Sequence, residues 1–269
     1  MSELAKNDDA DIQGAGSIGT THDGIGPIMS KSWVTTCAKK ASNMRQQLTA
    51  ALSPMLIGEA ELEENSKKGR KLNSREISRC ISERDPKVFR NMLIDDDESV
   101  AIQILVDRSG STQQNMVIDY EIEAALGLCL ALEGFVDVET MITAFPGSGS
   151  QRPTATIKSV GESVRKSFDR WPSPTGGTPL GKAYLQAAYN FVDATKERKI
   201  IIVLTDGKPS DAIFASDIKS KIAKAYGIEF YGVVIGVKDY PQDLFDDSEV
   251  ISTAQDLPKA LAALVRRSL

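Results

Sequence analysis

Residues 101–112, Ala-Ile-Gln-Ile-Leu-Val-Asp-Arg-Ser-Gly-Ser-Thr, join an apolar run to a cluster of oxygen-bearing side chains. A short apolar run that is rich in β-branched residues and ends in turn residues predicts a buried strand. Residues 116–133, which follow, have the apolar spacing of a helix. Asp107, Ser109 and Ser111 therefore lie where the carboxyl end of a strand meets a helix. In an open α/β sheet, ligands bind in the crevice at that edge.

Two later stretches of the chain fit the same site. Residues 175–180, Thr-Gly-Gly-Thr-Pro-Leu, precede a helical pattern and supply a threonine hydroxyl. Residues 200–207, Ile-Ile-Ile-Val-Leu-Thr-Asp-Gly, predict a second buried strand that ends in an acid. Three strand-end loops then surround one cation with the oxygens of five residues: Asp107, Ser109, Ser111, Thr178 and Asp206. Such ligands favour Mg²⁺, or alternatively Mn²⁺ or Ca²⁺, over zinc or copper, unless the residues only cap helices and form turns.

The order of these residues resembles the metal-ion-dependent adhesion site of von Willebrand factor A domains, in which Asp-x-Ser-x-Ser is followed by Thr and then Asp. All five motif positions are present. The resemblance implies that Ser109, Ser111 and sometimes Thr178 bind the cation directly, and that Asp107 and Asp206 often bind it through water. It also implies that an Asp or Glu of a protein partner fills the remaining position, so that the cation bridges two acidic surfaces.

The alternation of strands and helices from residue 100 onward predicts an α/β fold with a doubly wound, Rossmann-like, mostly parallel sheet. Residues 88–94 predict a further strand, and the turn at 95–99 leads back into the strand before Asp107. This hairpin predicts one antiparallel edge strand beside the strand that carries Asp107. The acidic residues 95–98 are interpreted as a solvated turn, because they lie roughly 25–30 Å from Asp107 along an extended strand.

The chain divides into three predicted parts. They are a flexible tail (1–29), an N-terminal helix with a charged linker (30–71) and the von Willebrand factor A domain (72–269). The helix is amphipathic over 33–56, and Ser53-Pro54 weakens or ends it. Residues 59–71 are highly charged, and we interpret them as a solvated linker, or alternatively as a segment that contacts a partner.

Composition and charge restrict the class of protein. The 269 residues carry a formal net charge of -5, with 41% hydrophobic and 26% charged residues. These values are typical of a soluble globular protein and give no reason to expect nucleic acid or an anionic membrane as a partner. No apolar run approaches the ~20 residues that span a bilayer, and a secretory signal is not evident. Cys37, Cys80 and Cys129 are widely spaced, so we expect reduced thiols, with Cys129 in the core, and a cytoplasmic protein.

A hydrolytic enzyme is the less favoured alternative. His22 is the single histidine and lies in a polar stretch, so Ser-His-Asp and Cys-His catalysis would both depend on it. Phosphoester hydrolysis by a bound Mg²⁺ usually requires a second metal or a positioned base, and no third nearby acid, Lys or His is evident in the motif loops. The chain also lacks a P-loop. We therefore expect no catalytic residue. Arg108 beside the site is expected either to steer an acidic partner or to form a local salt bridge.

Several stretches are most similar to intracellular bacterial and phage members of the family, the CobT-like and NorD-like proteins. Beside the metal motifs, these stretches include residues 85–90, 123–128 and 143–147. Such relatives work with a MoxR-like or chelatase-type AAA+ ATPase, so the resemblance implies an adaptor of such an ATPase. It leaves open a cobaltochelatase-like subunit that inserts metal into a tetrapyrrole, although the chain lacks CobT's long acidic middle region and large N-terminal domain. The helix at 33–56 is expected to dock on the domain or to bind the ATPase.

Overall fold

The computed structural model describes residues 28–56, 62–66, 71–72, 89–93, 99–133, 135, 137–147, 153–192, 194–207, 209–236 and 240–268. The acidic turn at 95–98, Cys80 and nearly all of the predicted tail, including His22, lie outside these residues. The last residues of the predicted tail are described, and they contact the domain. Ile28 pairs with Pro172 in an isolated bridge, and the N–H of Met29 donates to the carbonyl of Trp171 at 2.8 Å.

Fourteen helices and strands organise the described residues. In chain order they are α1 (Lys31–Leu56), β1 (Leu62–Ser66), β2 (Lys71–Leu72), β3 (Phe89–Leu93), β4 (Val100–Asp107), α2 (Val117–Leu132), β5 (Val138–Phe145), β6 (Ala155–Lys158), α3 (Leu180–Asn190), β7 (Arg198–Thr205), α4 (Ala212–Tyr226), β8 (Glu229–Ile235), β9 (Asp247–Ile251) and α5 (Leu257–Ser268). A 3-10 helix over Gly110–Met116 connects the Asp107 loop to α2. None of the described helices combines the length and hydrophobicity needed to cross a bilayer.

A six-stranded sheet carries the domain, in the order β6-β5-β4-β7-β8-β9. Five of its strands are parallel, and β6 pairs antiparallel with β5 at one edge. All eight residues of β4 are buried, because β4 has neighbours on both sides and helices cover both faces of the sheet. The predicted α/β fold, with a mostly parallel sheet and one antiparallel edge strand, is confirmed.

The antiparallel edge strand is not the one that the sequence predicts. Strand β3 forms within the predicted range 88–94, but it pairs with β1 and β2 in a separate three-stranded antiparallel sheet. Strand β4 lies between β5 and β7, which are both parallel to it, so the predicted hairpin between β3 and β4 is wrong. Within residues 59–71, which the sequence predicts to be a charged linker, Leu62–Ser66 form β1 and Lys71 begins β2. The sequence of β1, Leu-Glu-Glu-Asn-Ser, lacks the apolar alternation that signals a strand.

Alternate residues of each strand fill two apolar cores, one on each face of the sheet. On one face, Val100, Ile102, Ile104 and Val106 of β4 belong to the core that contains α1, α2 and α5. On the other face, Leu105 belongs to the core of α3 and α4. Because successive side chains of a strand point to opposite faces, a continuous apolar run such as β4 requires helices on both.

Helix α1 covers the face of α2 that points away from the sheet, and it also contacts α5. Its apolar residues belong to the same core as the sheet, namely Val34, Cys37, Ala38, Ala41, Met44, Leu48 and Leu52. Helix α2 is consequently buried on nearly all sides, which explains its apolar composition and the burial of Cys129. The helix predicted over 33–56 is present, and it docks on the domain. It continues through Pro54 to Leu56, so the Ser53-Pro54 pair does not end it.

One ion pair and one close contact fasten α1 to α2. Lys40 Nζ lies 2.7 Å from Glu123 Oε1, and the Glu123 side chain is fully buried. A Cβ atom at Gly127 would lie 3.1 Å from the Leu48 Cδ1 atom, so the glycine allows the two helices to approach closely. The apolar contact and the charge pair together make α1 an integral part of the core.

We expect Leu48→Ala to lower the free energy of unfolding by about 2–5 kcal/mol, because it removes a fully buried side chain between α1 and α2. Urea unfolding followed by circular dichroism measures this change. Gln47→Ala alters an exposed residue on the same helix and should change the free energy by less than about 0.5 kcal/mol. Equal unfolding curves for the Leu48 variant and the wild type would contradict a core role for α1.

Candidate metal centre

Asp107 ends strand β4 at the edge of the sheet where the predicted ligands meet. Strands β4 and β7 are parallel, with Val106 opposite Leu204, so both strands end at this edge. Asp107 is fully buried. Its Oδ2 accepts a hydrogen bond from Thr205 Oγ1 at 2.7 Å, and its Oδ1 accepts one from the backbone N–H of Ser109 at 2.8 Å. These bonds fix the carboxylate between two strand ends.

Hydrogen bonds join the two serines of the motif to the second aspartate. The Oγ atoms of Ser109 and Ser111 are 2.9 Å apart, and Ser111 Oγ donates to Asp206 Oδ1 at 3.1 Å. Ser109 is buried and Ser111 is exposed, so these bonds run from the interior to the surface. With the bond from Ser109 N–H to Asp107, the structure links four of the five predicted ligands.

Backbone hydrogen bonds bring the loop that carries Thr178 to the same place. The N–H of Gly110 donates to the carbonyl of Gly176 at 3.0 Å, and the N–H of Thr175 donates to the carbonyl of Arg108 at 2.9 Å. Gly176 has a φ of 71°, in the left-handed region that favours glycine. Thr178 is 8% exposed. Within the described residues, no hydrogen bond joins its hydroxyl to the other four side chains, so the backbone bonds alone connect its loop to theirs.

Asp211 holds the Thr178 loop from the other side, and the sequence pattern does not single it out. Its Oδ2 accepts a hydrogen bond from the N–H of Gly181 at 3.1 Å, at the start of α3. The N–H of Ser210 donates to the carbonyl of Thr178 at 2.9 Å. An acid directly before a helix is usually interpreted as a cap of that helix, but Asp211 makes no such bond to α4. The bond to a different helix is therefore hidden from local sequence.

Arg108 has neither of its two predicted roles. It is 2% exposed, so it cannot steer a partner through solvent, and the described part of the chain contains no ion pair of Arg108. Its Nε donates to the carbonyl of Pro146 at 2.9 Å, and its backbone N–H donates to the carbonyl of Phe145 at 2.8 Å. Burial lowers the pKa of Arg108 to about 10, and the charge of Asp107 opposes this change. Arg108 thus fastens the motif loop to the end of β5.

Burial weakens both aspartates as acids. It raises the pKa of Asp107 to about 7; the charge of Asp206 adds to this, whereas the hydrogen bonds from Thr205 and Ser109 oppose it. Burial also raises the pKa of Asp206, and the hydrogen bond from Ser111 opposes the change. Two carboxylates that are desolvated in this way are stabilised in their charged form by a cation.

Glu121 on α2 is a third acid that interacts with the charges of the two aspartates. It lies outside the motif loops, to which the prediction of no third acid applies. It is fully buried, and its pKa is raised first by this burial and then by the charges of Asp107 and Asp206. The sequence of α2, unlike the motif loops, indicates that Glu121 is buried. Glu121 lies three residues after Ile118 and four before Ala125, on the stripe of α2 where apolar residues are expected. Its burial prevents it from acting as a general base on a substrate.

The donor set fits a hard divalent cation. Within the described ranges, no three Asp, Glu, Cys or His side chains converge as a metal site, so the carboxylates alone do not form one. The hydroxyls of Ser109 and Ser111 supply further oxygens beside Asp107 and Asp206. Oxygen ligands of which only some are carboxylates suit Mg²⁺ or Mn²⁺.

The profile of the von Willebrand factor type A domain matches residues 101–255, which is more than half of the chain. The chain belongs to this family. The matched region of this von Willebrand factor A domain contains the strands of the six-stranded sheet and the three motif loops, whereas α1 and the small sheet of β1 to β3 precede it. A comparison with curated proteins finds no match.

Solved structures similar to this von Willebrand factor A domain have low sequence identity. A von Willebrand factor type A protein from Catenulispora acidiphila is 18% identical, with a TM-score of 0.48 over 64% of this chain and 43% of its own. Proximal thread matrix protein 1 from the mussel byssus, with a zinc-occupied adhesion-site motif, is 16% identical, with a TM-score of 0.51 over 63% and 45%. The pilus adhesin SpaC from Lactobacillus rhamnosus GG is 15% identical, with a TM-score of 0.49 over 64% and 30%. The chain thus spans less than half of each structure, and such similarity concerns the fold alone.

We expect Asp107 to make the metal-free protein less stable as the pH rises from about 4 to about 7. Its carboxyl binds a proton more tightly in the folded chain, where its pKa is about 7, than at its usual value of 3.8. Protonation therefore favours the folded state below the lower value, and this contribution, about 4 kcal/mol, is lost as the pH passes the higher one.

Urea unfolding in EDTA at pH 4 and pH 8 measures most of this contribution. Asp107→Asn cannot ionise at this position, so the variant should lose less stability than the wild type between the two pH values. Equal losses in both proteins would contradict the raised pKa.

Proposed function

We propose that this von Willebrand factor A domain binds a divalent cation, with Mg²⁺ as the first candidate, and through it a protein partner. The proposed ligands are Asp107, Ser109, Ser111, Thr178 and Asp206, and no residue has a catalytic role. The hydrogen bonds from Ser109 through Ser111 to Asp206 carry the proposal, because they gather oxygens from two loops at an edge that reaches the surface.

Some residues of the site are buried and hold the ligands in place, whereas others lie at the surface, where a partner can reach them. Thr205 and the N–H of Ser109 hold Asp107 in a fixed orientation. Ser111 is exposed, so its side of the site is open to a partner. Because hydroxyls carry no charge, the site holds fewer negative charges than a cage of carboxylates. When bound, the cation connects the site to an Asp or Glu of the partner. Without the cation, Asp107 and Asp206 would repel that carboxylate.

The type of cation is supported by chemistry and by one similar structure. The mussel byssus protein has zinc in its adhesion-site motif, which supports a divalent cation here without selecting one. Hydroxyl and carboxylate oxygens favour Mg²⁺, Mn²⁺ or Ca²⁺ over zinc. We therefore use Mn²⁺ as the probe, since it binds the same hard ligands as Mg²⁺ and is readily detected.

We expect Ser111→Ala to weaken the binding of Mn²⁺ by about tenfold or more, because loss of groups that only support a metal site already has an effect of this size. Isothermal titration calorimetry measures the Kd, and circular dichroism reports the fold. Asp217→Asn is the control: Asp217 is an exposed acid that pairs with Lys221 on α4, so its removal changes the charge of the protein without touching the site. A Kd for Ser111→Ala that equals the control value would overturn the assignment of this ligand.

For the partner, we propose an AAA+ ATPase of the MoxR or chelatase type. The stretches that resemble CobT-like and NorD-like proteins support this choice. The prediction of a domain over residues 72–269 and of a cytoplasmic protein agrees with such a partner, and both stay predictions. An adaptor needs no catalytic residue of its own, which fits the motif loops of this chain.

We expect purified ATPase to bind this protein in Mg²⁺, and the binding to be lost in EDTA and restored when Mg²⁺ is added back. Surface plasmon resonance with the immobilised domain measures it. Asp107→Ala and Ser111→Ala should each abolish or weaken the signal, whereas Asp217→Asn should keep it. Binding that persists both in EDTA and with the two site variants would contradict a metal-dependent interaction.

Two alternative functions would each be detected by a different assay. A cobaltochelatase-like subunit would support insertion of metal into a tetrapyrrole when mixed with its partner subunits, and the absence of insertion would count against it. A phosphohydrolase would turn over phosphoesters in a reaction that Asp206→Ala abolishes. The buried carboxylate of Glu121 supplies no accessible base for that reaction, so the binding module remains the proposal that the site supports best.

A further inference from the structure

Glu121 has the least satisfied carboxylate in the described part of the chain. The residue is fully buried. Both of its carboxylate oxygens are buried without a hydrogen-bond partner, and among the described acids Glu121 is the one for which both oxygens are buried in this way. A buried carboxylate without a donor loses its hydration and gains nothing in return, so its position calls for a physical reason.

The position of Glu121 places its charge behind the metal motif. It belongs to the first turns of α2, which begins directly after the 3-10 helix that carries Ser111. The charges of both Asp107 and Asp206 act on it, so its carboxylate lies within electrostatic range of the ends of β4 and β7. Three acids from two strand ends and one helix therefore share one buried region.

A second glutamate on the same helix provides the contrast. Glu123 is equally buried, and Lys40 of α1 supplies a cation at 2.7 Å. Both residues lie on α2, and Glu123 points toward α1. Successive residues of a helix are about 100° apart, so Glu121 points away from α1, toward the sheet. A buried charge without compensation is strongly destabilising, and a cation bound at the proposed site would compensate the charge of Glu121.

We infer that Glu121 is a positioning residue of the metal centre, whose negative charge strengthens the binding of the cation from behind the ligands. This inference rests on the proposed function. Because no three acids converge on one point in the described residues, Glu121 acts on the cation through its charge or through a bound water and is not a direct ligand.

This role has opposite effects in the two states of the protein. Without the cation, burial and the charges of the two aspartates oppose ionisation of Glu121, so the neutral variant Glu121→Gln should unfold at an equal or higher urea concentration. With the cation, ionisation of Glu121 is favoured and its charge is attractive, so Glu121→Gln should bind Mn²⁺ more weakly. A residue that only fills space in α2 would give an equal Kd and, if it mattered at all, a less stable metal-free protein.

The experiment measures Mn²⁺ binding by calorimetry and urea unfolding in EDTA for the wild type, Glu121→Gln and the matched control Glu123→Gln. We expect the Kd for Mn²⁺ to rise by about 10- to 100-fold in Glu121→Gln, as for other groups that support metal ligands. The control should keep the Kd within about twofold, since Glu123 belongs to the contact with α1. If Glu121→Gln does not fold, Glu121→Asp is compared with the wild type, and moving the charge back by one methylene should weaken Mn²⁺ binding severalfold.

Three outcomes separate the inference from the proposed function. If the wild type binds Mn²⁺ and Ser111→Ala does not, an unchanged Kd in Glu121→Gln overturns the inference alone. Where Glu121→Gln does not fold, an unchanged Kd in Glu121→Asp has the same meaning. A wild-type protein without measurable Mn²⁺ binding overturns both. Weaker Mn²⁺ binding in Glu121→Gln, together with equal or greater stability in EDTA, supports both.

Discussion

Asp107 must be held as a buried carboxylate at the end of a strand with parallel neighbours on both sides, and the site is arranged around this constraint. Removing a charge from water is costly unless bonds replace its hydration. The hydroxyl of Thr205 and the N–H of Ser109 supply two of these bonds. The loop that follows is then secured by Arg108 to the end of β5 and by Gly110 to the Thr178 loop. The geometry of the site thus follows from the way one carboxylate is accommodated.

The amino-acid sequence alone predicts much of this arrangement. The apolar runs of β4 and β7 predict buried parallel strands, and parallel strands end at one edge. An acid or hydroxyl placed directly after each run is therefore brought to that edge, whichever strand it follows. For this reason the sequence predicts that the loops of Asp107 and Asp206 lie at one edge. The order of the motif adds the loop of Thr178, which precedes a helix, and the structure brings the three loops together. The roles of the five residues as ligands stay a proposal.

Other features depend on partners that local sequence does not specify. Residues 88–94 predict a strand, but their sequence does not say whether β4 or β1 is its neighbour. Arg108 carries a charge and lies in a loop, which usually means exposure, yet nearby carbonyls make its burial possible. Glu121 differs from both, since its spacing from the apolar residues of α2 places it on the inward face of the helix. The motif loops carry no sign of it, because it lies outside them.

The covering of α2 by α1 has a practical consequence for anyone who wishes to work with a fragment. The family match begins at residue 101, and a chain cut there would expose the outer side of α2, which is apolar from Ala124 to Leu132. It would also separate Glu123 from Lys40. Large exposed apolar patches cause aggregation. A shortened version for crystallisation or screening should therefore start before residue 31, although the recognisable family region starts much later.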